Sequence, residues 1–221
     1  MVKAVVSESI IGRSEKKDLV KFHILNLFDY ADSPHFRIDD YPFGGGPGMV
    51  LKPEPIFRAL DDIKEKLKGA DNLRVIFPTP DGNAFNQNKA SELSHDENLV
   101  FISGHYKGID QRIRDELVTD EISIGDFILT GGELPSLMIL DAVIRLIPGV
   151  INTYESAQTD SFSSELLDCP YYTRPEEYRG FSTPSVLLSG NHGDIEKWKQ
   201  EEREKKTKDR RPDIWAKNKK I

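Results

Sequence analysis

The stretch Asp39–Pro53, "DDYPFGGGPGMVLKP", places three consecutive glycines and a Pro-Gly pair in one short segment. Glycine gives up more conformational entropy on folding than any other residue. Such density points to a backbone shape that a Cβ forbids, or to a backbone that must come very close to something. Three more glycine-bearing stretches, "PTPDGN", "SGHYKGID" and "IGDFILTGGELP", are associated with strand-like segments. In open α/β sheets, ligands collect beyond the carboxyl ends of the strands. Several such loops brought together make a pocket walled by backbone N–H and C=O groups, and such a wall reads a neutral adenine edge without charged side chains. Two phosphate-binding patterns fail. There is no G-x-x-x-x-G-K-[ST], because Lys52 comes too late and Pro53 follows it, and no G-x-G-x-x-G at a strand-to-helix turn. Nor is there a G-x-S-x-G elbow to present a hydrolase nucleophile.

Two charged residues are candidates on type alone. Asp160 lies in "TDSF", within a polar stretch where a carboxylate is ordinarily solvated. Arg145 follows Asp141 by four residues on a helical pattern, the spacing of a common surface ion pair. Five scattered histidines and a single cysteine, Cys169, give no zinc-ligand spacing, and no metal site is expected. One cysteine also excludes an intrachain disulfide framework and suits a reducing cytosol.

The elements that must position these residues follow from apolar periodicity. "EPIFRALDDIKEKLKG" (Glu54–Gly69) places Ile56, Leu60, Ile63 and Leu67 on one helical face. "LRVIFPTP" (Leu73–Pro80) reads as a buried strand running into a loop. "NQNKASELSH" (Asn86–His95) reads as a short helix, and "NLVFISGHY" (Asn98–Tyr106) as a second strand. "DQRIRDELV" (Asp110–Val118) is helical, "DEISIGDFILTGGELP" (Asp120–Pro135) is a strand with an internal break, and "ELPSLMILDAVIRLI" (Glu133–Ile147) is a helix stopped by Pro148-Gly149. Strands alternating with helices predict βα units and a mostly parallel sheet. The polar run Asn152–Glu165 reads as a mobile linker, which divides the chain into a main domain (residues 1–151), the linker (152–165) and a small C-terminal domain (166–221).

The 221 residues fit this organisation, with 38% hydrophobic and 30% charged residues. No apolar run is long enough to span a bilayer, and the N-terminus does not read as a signal peptide. Net charge is −7 but uneven: Ser189–Ile221 carries 11 Lys/Arg against 7 Asp/Glu, a net of +4, which leaves −11 on the remainder. The basic run "REKKTKDRR" (Arg203–Arg211) suits either a solvated helix end or phosphate contact.

Taken together, several stretches resemble the bacterial tRNA (guanine-N1)-methyltransferases that modify the guanine at tRNA position 37, in the knotted SPOUT class. They are "SIIGR" (Ser9–Arg13), "DDYPFGGGPGM" (Asp39–Met49), "SGHYKGIDQR" (Ser103–Arg112), "SIGDFILTGGELP" (Ser123–Pro135), "IPGV" (Ile147–Val150), "DSFSSELLDCPYYTRP" (Asp160–Pro175) and "VLLSGNH" (Val186–His192). The resemblance implies an open parallel α/β sheet with a deep trefoil knot, a small mainly helical C-terminal tRNA-binding domain, and a cytoplasmic homodimer whose active site spans the subunit interface. It implies S-adenosylmethionine as methyl donor, held by Pro78, Thr79, Pro80, Gly104, Tyr106, Ile124, Gly125, Asp126, Phe127, Ile128, Leu129, Gly131, Gly132 and Pro135. It assigns Asp160 as the general base and Arg145 as the stabilising cation. Asp39, Gly48, Met49, Ser156 and Asp168 fall on the substrate side. Magnesium assistance is implied too, without a ligand cluster to place the ion.

The resemblance has departures. Met1 aligns inside the helix that follows the family's opening strand and its "LFP" motif, so that strand is expected to be absent, and a form restored upstream is expected to be more stable. Lys107 stands where many relatives carry Glu, so any role of that acid is not carried over. The alternative expectation is a catalytically impaired SPOUT-type RNA-binding protein lacking the first strand.

Overall fold

The computed structural model describes residues 1–68, 72–151, 161–162 and 166–218. The chain forms two compact units, Met1–Asn152 and Thr153–Ile221.

The first unit opens with α1 (Val2–Val6) and α2 (Ser9–Lys16). Gly12 of α2 is buried, and a Cβ there would sit 2.2 Å from the Ser7 carbonyl oxygen, so "SIIGR" carries its glycine for close approach of the turn between the helices. A 3-10 turn (Leu27–Tyr30) precedes a short antiparallel pair, β1 (Asp39–Asp40) and β2 (Val50–Leu51), in which Asp39 faces Leu51. The glycine-rich segment is the loop of this hairpin. Next comes α3 (Pro53–Lys66), with proline in its first turn, where the missing N–H costs nothing, and Lys64 and Lys66 in its last turn, where cations suit the helix dipole. The Arg58 guanidinium on α3 reaches Asp32 at 2.7 Å and the Tyr30 carbonyl at 3.1 Å, and Tyr30 also donates its hydroxyl to Asp62.

A three-stranded parallel sheet follows, in the order β4-β3-β5, from β3 (Leu73–Ala84), β4 (Asn98–Phe101) and β5 (Asp120–Ser123). The connecting helices are α4 (Gln87–Leu93) and α5 (Gln111–Leu117), and α6 (Glu133–Ile144) comes after β5. Asn86 caps α4 by accepting from Lys89 N at 3.0 Å, and Asp110 caps α5 by accepting from Arg112 N at 2.9 Å.

Alternation along β3 sends its side chains to opposite faces. Val75 and Phe77 join Ile56 and Leu60 of α3 and Ile113 of α5 in one core cluster. Ile76 joins Ala90 and Leu93 of α4, Ile122 of β5, and Ile139 and Val143 of α6 in the other. The result is helices on both faces of a parallel sheet, as the βα alternation predicts. A third cluster packs Val6 and Ile11 against Leu137 and Ile144, seating α1 and α2 on α6. Leu134 and Met138 on α6 remain exposed, as do Phe127 and Ile128 just before it.

β4 and β5 are shorter at their loop ends than the sequence predicts, whereas β3 runs past the expected Pro80 to Ala84. β4 stops at Phe101 instead of Tyr106, and β5 stops at Ser123, because Ser103–Gly104 and Ile124–Gly132 turn away to meet each other. α6 ends at Ile144, which leaves Arg145 as its C-cap.

In the second unit, a β-hairpin pairs β6 (Glu177–Tyr178) with β7 (Phe181–Ser182), a feature the sequence reading does not include. Three helices follow: α7 (Ser185–Leu188), α8 (His192–Arg210) and α9 (Pro212–Asn218). Among the described residues, no helix is long and apolar enough to cross a membrane. Ile139 is wholly buried between α6 and the sheet. Ile139→Ala is expected to destabilise the first unit by about 2–5 kcal/mol, measured by urea titration.

Candidate functional site

Three glycine-bearing loops gather around the carboxyl ends of β3, β4 and β5. The first is an excursion within β3. Pro78 pairs with Ile122 of β5, the chain then leaves the ladder, and Asn83 returns to that same Ile122. Gly82 closes the excursion, since a Cβ there would lie 2.5 Å from the Glu121 carbonyl carbon. Thr79 donates its hydroxyl to Asp81, and Arg114 holds Asp81 at 2.7 Å and Glu121 at 2.6 Å. The Thr79 hydroxyl, then Arg114, keep the Asp81 carboxyl below its ordinary range.

The second and third loops are fastened together. Gly132 N–H donates to the Gly104 carbonyl at 2.7 Å, and His105 bridges Gly131 in antiparallel fashion. A Cβ on Gly132 would fall 2.5 Å from Gly104 N, and one on Gly104 would fall 2.9 Å from the Phe77 ring. Ser136 donates to the Gly132 carbonyl at 2.7 Å and lies 3.2 Å from the Ser103 hydroxyl. The His105 ring pairs with Glu133, at the start of α6, at 2.6 Å. Gly125, at φ +142°, packs its backbone under the Phe127 ring.

The glycine-rich hairpin is docked on the second loop. Lys107 N donates to the Met49 carbonyl, and Leu51 N to the Gly108 carbonyl, both at 3.0 Å. The Asp39 carboxylate, by hydrogen bonding first and then by its negative charge, holds the Tyr106 phenol above its ordinary pKa. Gly44, Gly45 and Gly46 have φ of +87°, +78° and +114° with nothing near their Cβ positions. Their density therefore answers to backbone shape and not to crowding within the chain. Gly48 is different: a Cβ there would lie 3.0 Å from the Lys107 side chain.

The arrangement presents backbone donors and acceptors together with aromatic rings at the ends of a parallel sheet, in keeping with a heterocyclic ligand. A sequence model of the family described as tRNA (Guanine-1)-methyltransferase TrmD matches residues 1–217. The chain belongs to this family. It is 51% identical over 214 residues to the tRNA (guanine-N(1)-)-methyltransferase of Bacillus subtilis strain 168, covering 97% of this chain and 87% of the relative. It is 52% identical over 217 residues to the enzyme of that name from Brevibacillus brevis, covering 98% and 88%. The protein of the same name from Staphylococcus haemolyticus is 51% identical over 214 residues, covering 97% and 86%.

The residues that the family resemblance assigns to the cofactor, from Pro78 to Pro135, thus lie on three neighbouring loops and the start of α6. Asp39, Gly48 and Met49 stand on the hairpin docked against Tyr106 and Lys107. Arg145 is half-buried at the C-terminus of α6. Asp160 and Ser156 lie outside the described residues. Among the described residues, no group of three or more His, Cys, Asp or Glu side chains could hold a metal ion.

Asp168, in the second unit, is the hub of an internal network. Its carboxylate accepts from Tyr171 at 2.5 Å, from Cys169 N at 2.7 Å and from Arg203 at 3.3 Å. Its backbone N–H donates to the Ser161 hydroxyl at 3.0 Å, and Lys206 reaches its carbonyl at 2.8 Å. Burial pushes this carboxyl up, but the Tyr171, Cys169 and Arg203 donors outweigh it and hold the group below its usual range. Tyr171 is pushed up to about 12 by the hydrogen bond to Asp168. Two cations of the basic run, Arg203 and Lys206, are therefore turned inward, while Lys205, Lys208 and Arg210 are exposed. Sequence reasoning missed this network and the His105–Glu133 pair, because the partners are distant in the chain and share no local pattern.

Two outcomes are expected. Gly132→Ala forces the second and third loops apart and lowers stability by about 1–3 kcal/mol in urea titration, with faster amide exchange around Gly104. Asp168→Asn is less stable than the wild type at neutral pH. A carboxyl depressed on folding stabilises above its unfolded value, about 3.9, and that contribution is lost as pH falls through the lower folded value, so the two urea midpoints converge in acid.

Proposed function

We propose that this protein transfers a methyl group from S-adenosylmethionine to N1 of guanine 37 in tRNA, as a cytoplasmic homodimer with a trefoil knot around the cofactor loops. The observation that carries this reading is the Gly104–Gly132 fastening, which makes one backbone-walled cradle from loops of a chain in this family. The cradle suits the cofactor: its polar groups are mainly main-chain N–H and C=O, and its rings come from Phe127 and Tyr106. When bound, S-adenosylmethionine supplies an electrophilic methyl on a positively charged sulfur.

The protein's own task is then to make guanine N1 a nucleophile. N1 carries a proton, so a base must take it as the new N–CH3 bond forms. We assign that base to Asp160, from the motif "DSFSSELLDCPYYTRP". Negative charge moves toward guanine O6, and we assign its stabilisation to Arg145, the C-cap of α6. The target base must leave its stack to be reached, and Asp39 on the docked hairpin is assigned to its selection, with Gly48, Met49, Ser156 and Asp168 alongside. Asp168 acts from within its network, through Ser161, which is bonded directly to Asp160. A second copy of the chain would cover the exposed Phe127, Ile128, Leu134 and Met138. A reducing cytosol suits the single buried cysteine. Magnesium has no assigned ligands here, and no step depends on it.

The test is transfer of labelled methyl from S-adenosylmethionine to an unmodified tRNA whose guanine 37 follows another guanine. The wild type is expected to be active, and Asp160→Asn to lose about 100- to 10,000-fold in rate with cofactor affinity retained. A wild type that transfers nothing would overturn the reading. An Asn variant of full activity removes Asp160 as the base, and full activity from a strict monomer removes the shared site.

A further inference from the structure

The β6–β7 hairpin of the second unit is built to display aromatic rings. Its two-residue turn is Arg179-Gly180, with φ of +54° and +83°. Positive φ at both positions is the backbone of the turn type that matches the twist of paired strands. Arginine is an unfavourable residue for the first of them, since its Cβ resists the left-handed region. The side chain explains the placement: the Arg179 guanidinium lies over the Tyr178 ring, 5.3 Å from its centroid. Tyr178 and Phe181 are direct cross-strand partners, so their rings share one face. Glu177 and Ser182 form the adjacent pair and occupy the other face. Tyr178 is 60% exposed and Phe181 80% exposed, so neither ring serves the core of its own unit.

We propose that this hairpin is a stacking platform for an unpaired nucleobase of the tRNA, with Arg179 supplying the phosphate contact next to it. The proposal rests on the reading that the protein acts on tRNA and adds a contact point to it. The chemistry favours RNA over an apolar protein surface. Two rings, with a guanidinium over one of them, offer flat π faces and a cation together, and a base joined to its phosphate complements both. An apolar protein partner would use the rings but leave the guanidinium to be desolvated without a counter-charge. Helix α8 belongs to the same unit, and its exposed Lys205, Lys208 and Arg210, which stand among Glu201, Glu204 and Asp209, offer local phosphate contacts without making the helix basic as a whole.

The experiment measures binding of the same tRNA to the full chain by fluorescence anisotropy across a salt series, for the wild type and for Tyr178→Ala/Phe181→Ala, Arg179→Ala and Tyr178→Phe. The double variant is expected to weaken binding about 5- to 100-fold with an unchanged salt slope, because stacking releases no counterions. Arg179→Ala is expected to lower the salt slope by about one charge. Tyr178→Phe keeps the ring and retains wild-type affinity. Circular dichroism and cofactor binding serve as folding controls, and all three variants should match the wild type in both. A double variant within twofold of the wild type overturns the hairpin proposal alone. So does a double variant that changes the oligomeric state without RNA while its tRNA affinity stays the same, which would mark a protein contact. A wild type that binds no tRNA overturns this proposal together with the reading beneath it.

Discussion

One hydrogen bond sets the geometry on which the candidate site depends: Gly132 N–H to the Gly104 carbonyl, at 2.7 Å. It joins the loop after β4 to the loop before α6, and it exists only because neither residue carries a Cβ. Everything around it reinforces the same closeness. Ser136 donates its hydroxyl to the Gly132 carbonyl, His105 ties back to Glu133, and Phe77 from the central strand fills the space under Gly104. A parallel sheet leaves its loops free to diverge at the carboxyl end. Here the loop after β4 and the loop before α6 are drawn into one wall by hydrogen bonds of the chain itself.

Much of the first unit was legible in the sequence. α3, α4, α5 and α6 are long or well-capped enough that apolar spacing and the signals of Asn86 and Asp110 locate them within a few residues. Strand ends were less legible. Asn98–Tyr106 reads as one strand, yet the ladder stops at Phe101, close to where the apolar run gives way to Ser103-Gly104 and the chain turns to pair with the loop before α6. The glycines were visible as loops, but which of them touch was not, since Gly104 and Gly132 are neighbours only in space. The Tyr178–Phe181 hairpin escaped for a different reason. Its turn is Arg-Gly, without the Asn-Gly or Asp-Gly that marks most two-residue turns, and its strands are too short to show alternation.

The second unit shows how misleading a count of charges is. Its basic run looks like a continuous surface for phosphate, but one side of α8 is committed to structure. Thr207 is fully buried and accepts from Leu167 N at 2.9 Å, while Arg203 and Lys206 close on Asp168. Arg203 faces a carboxylate that would otherwise be costly to bury, and Lys206 donates to the backbone carbonyl of the same residue. What remains for a partner is the other side of the helix, where Lys205 and Lys208 stand beside Glu201 and Glu204.

The excursion in β3 leaves the ladder at Pro78 and rejoins it at Asn83, opposite the same residue, Ile122. Thr79–Gly82 is in this sense spliced into a strand that is otherwise whole. Residues could be added or removed between those two points without shifting Asn83 and Ala84 relative to β5, so the sheet would not register the change. The length of this loop is thus uncoupled from the register of the sheet, while its composition is held at Gly82, which lies tight against Glu121, and at Asp81, which Arg114 grips.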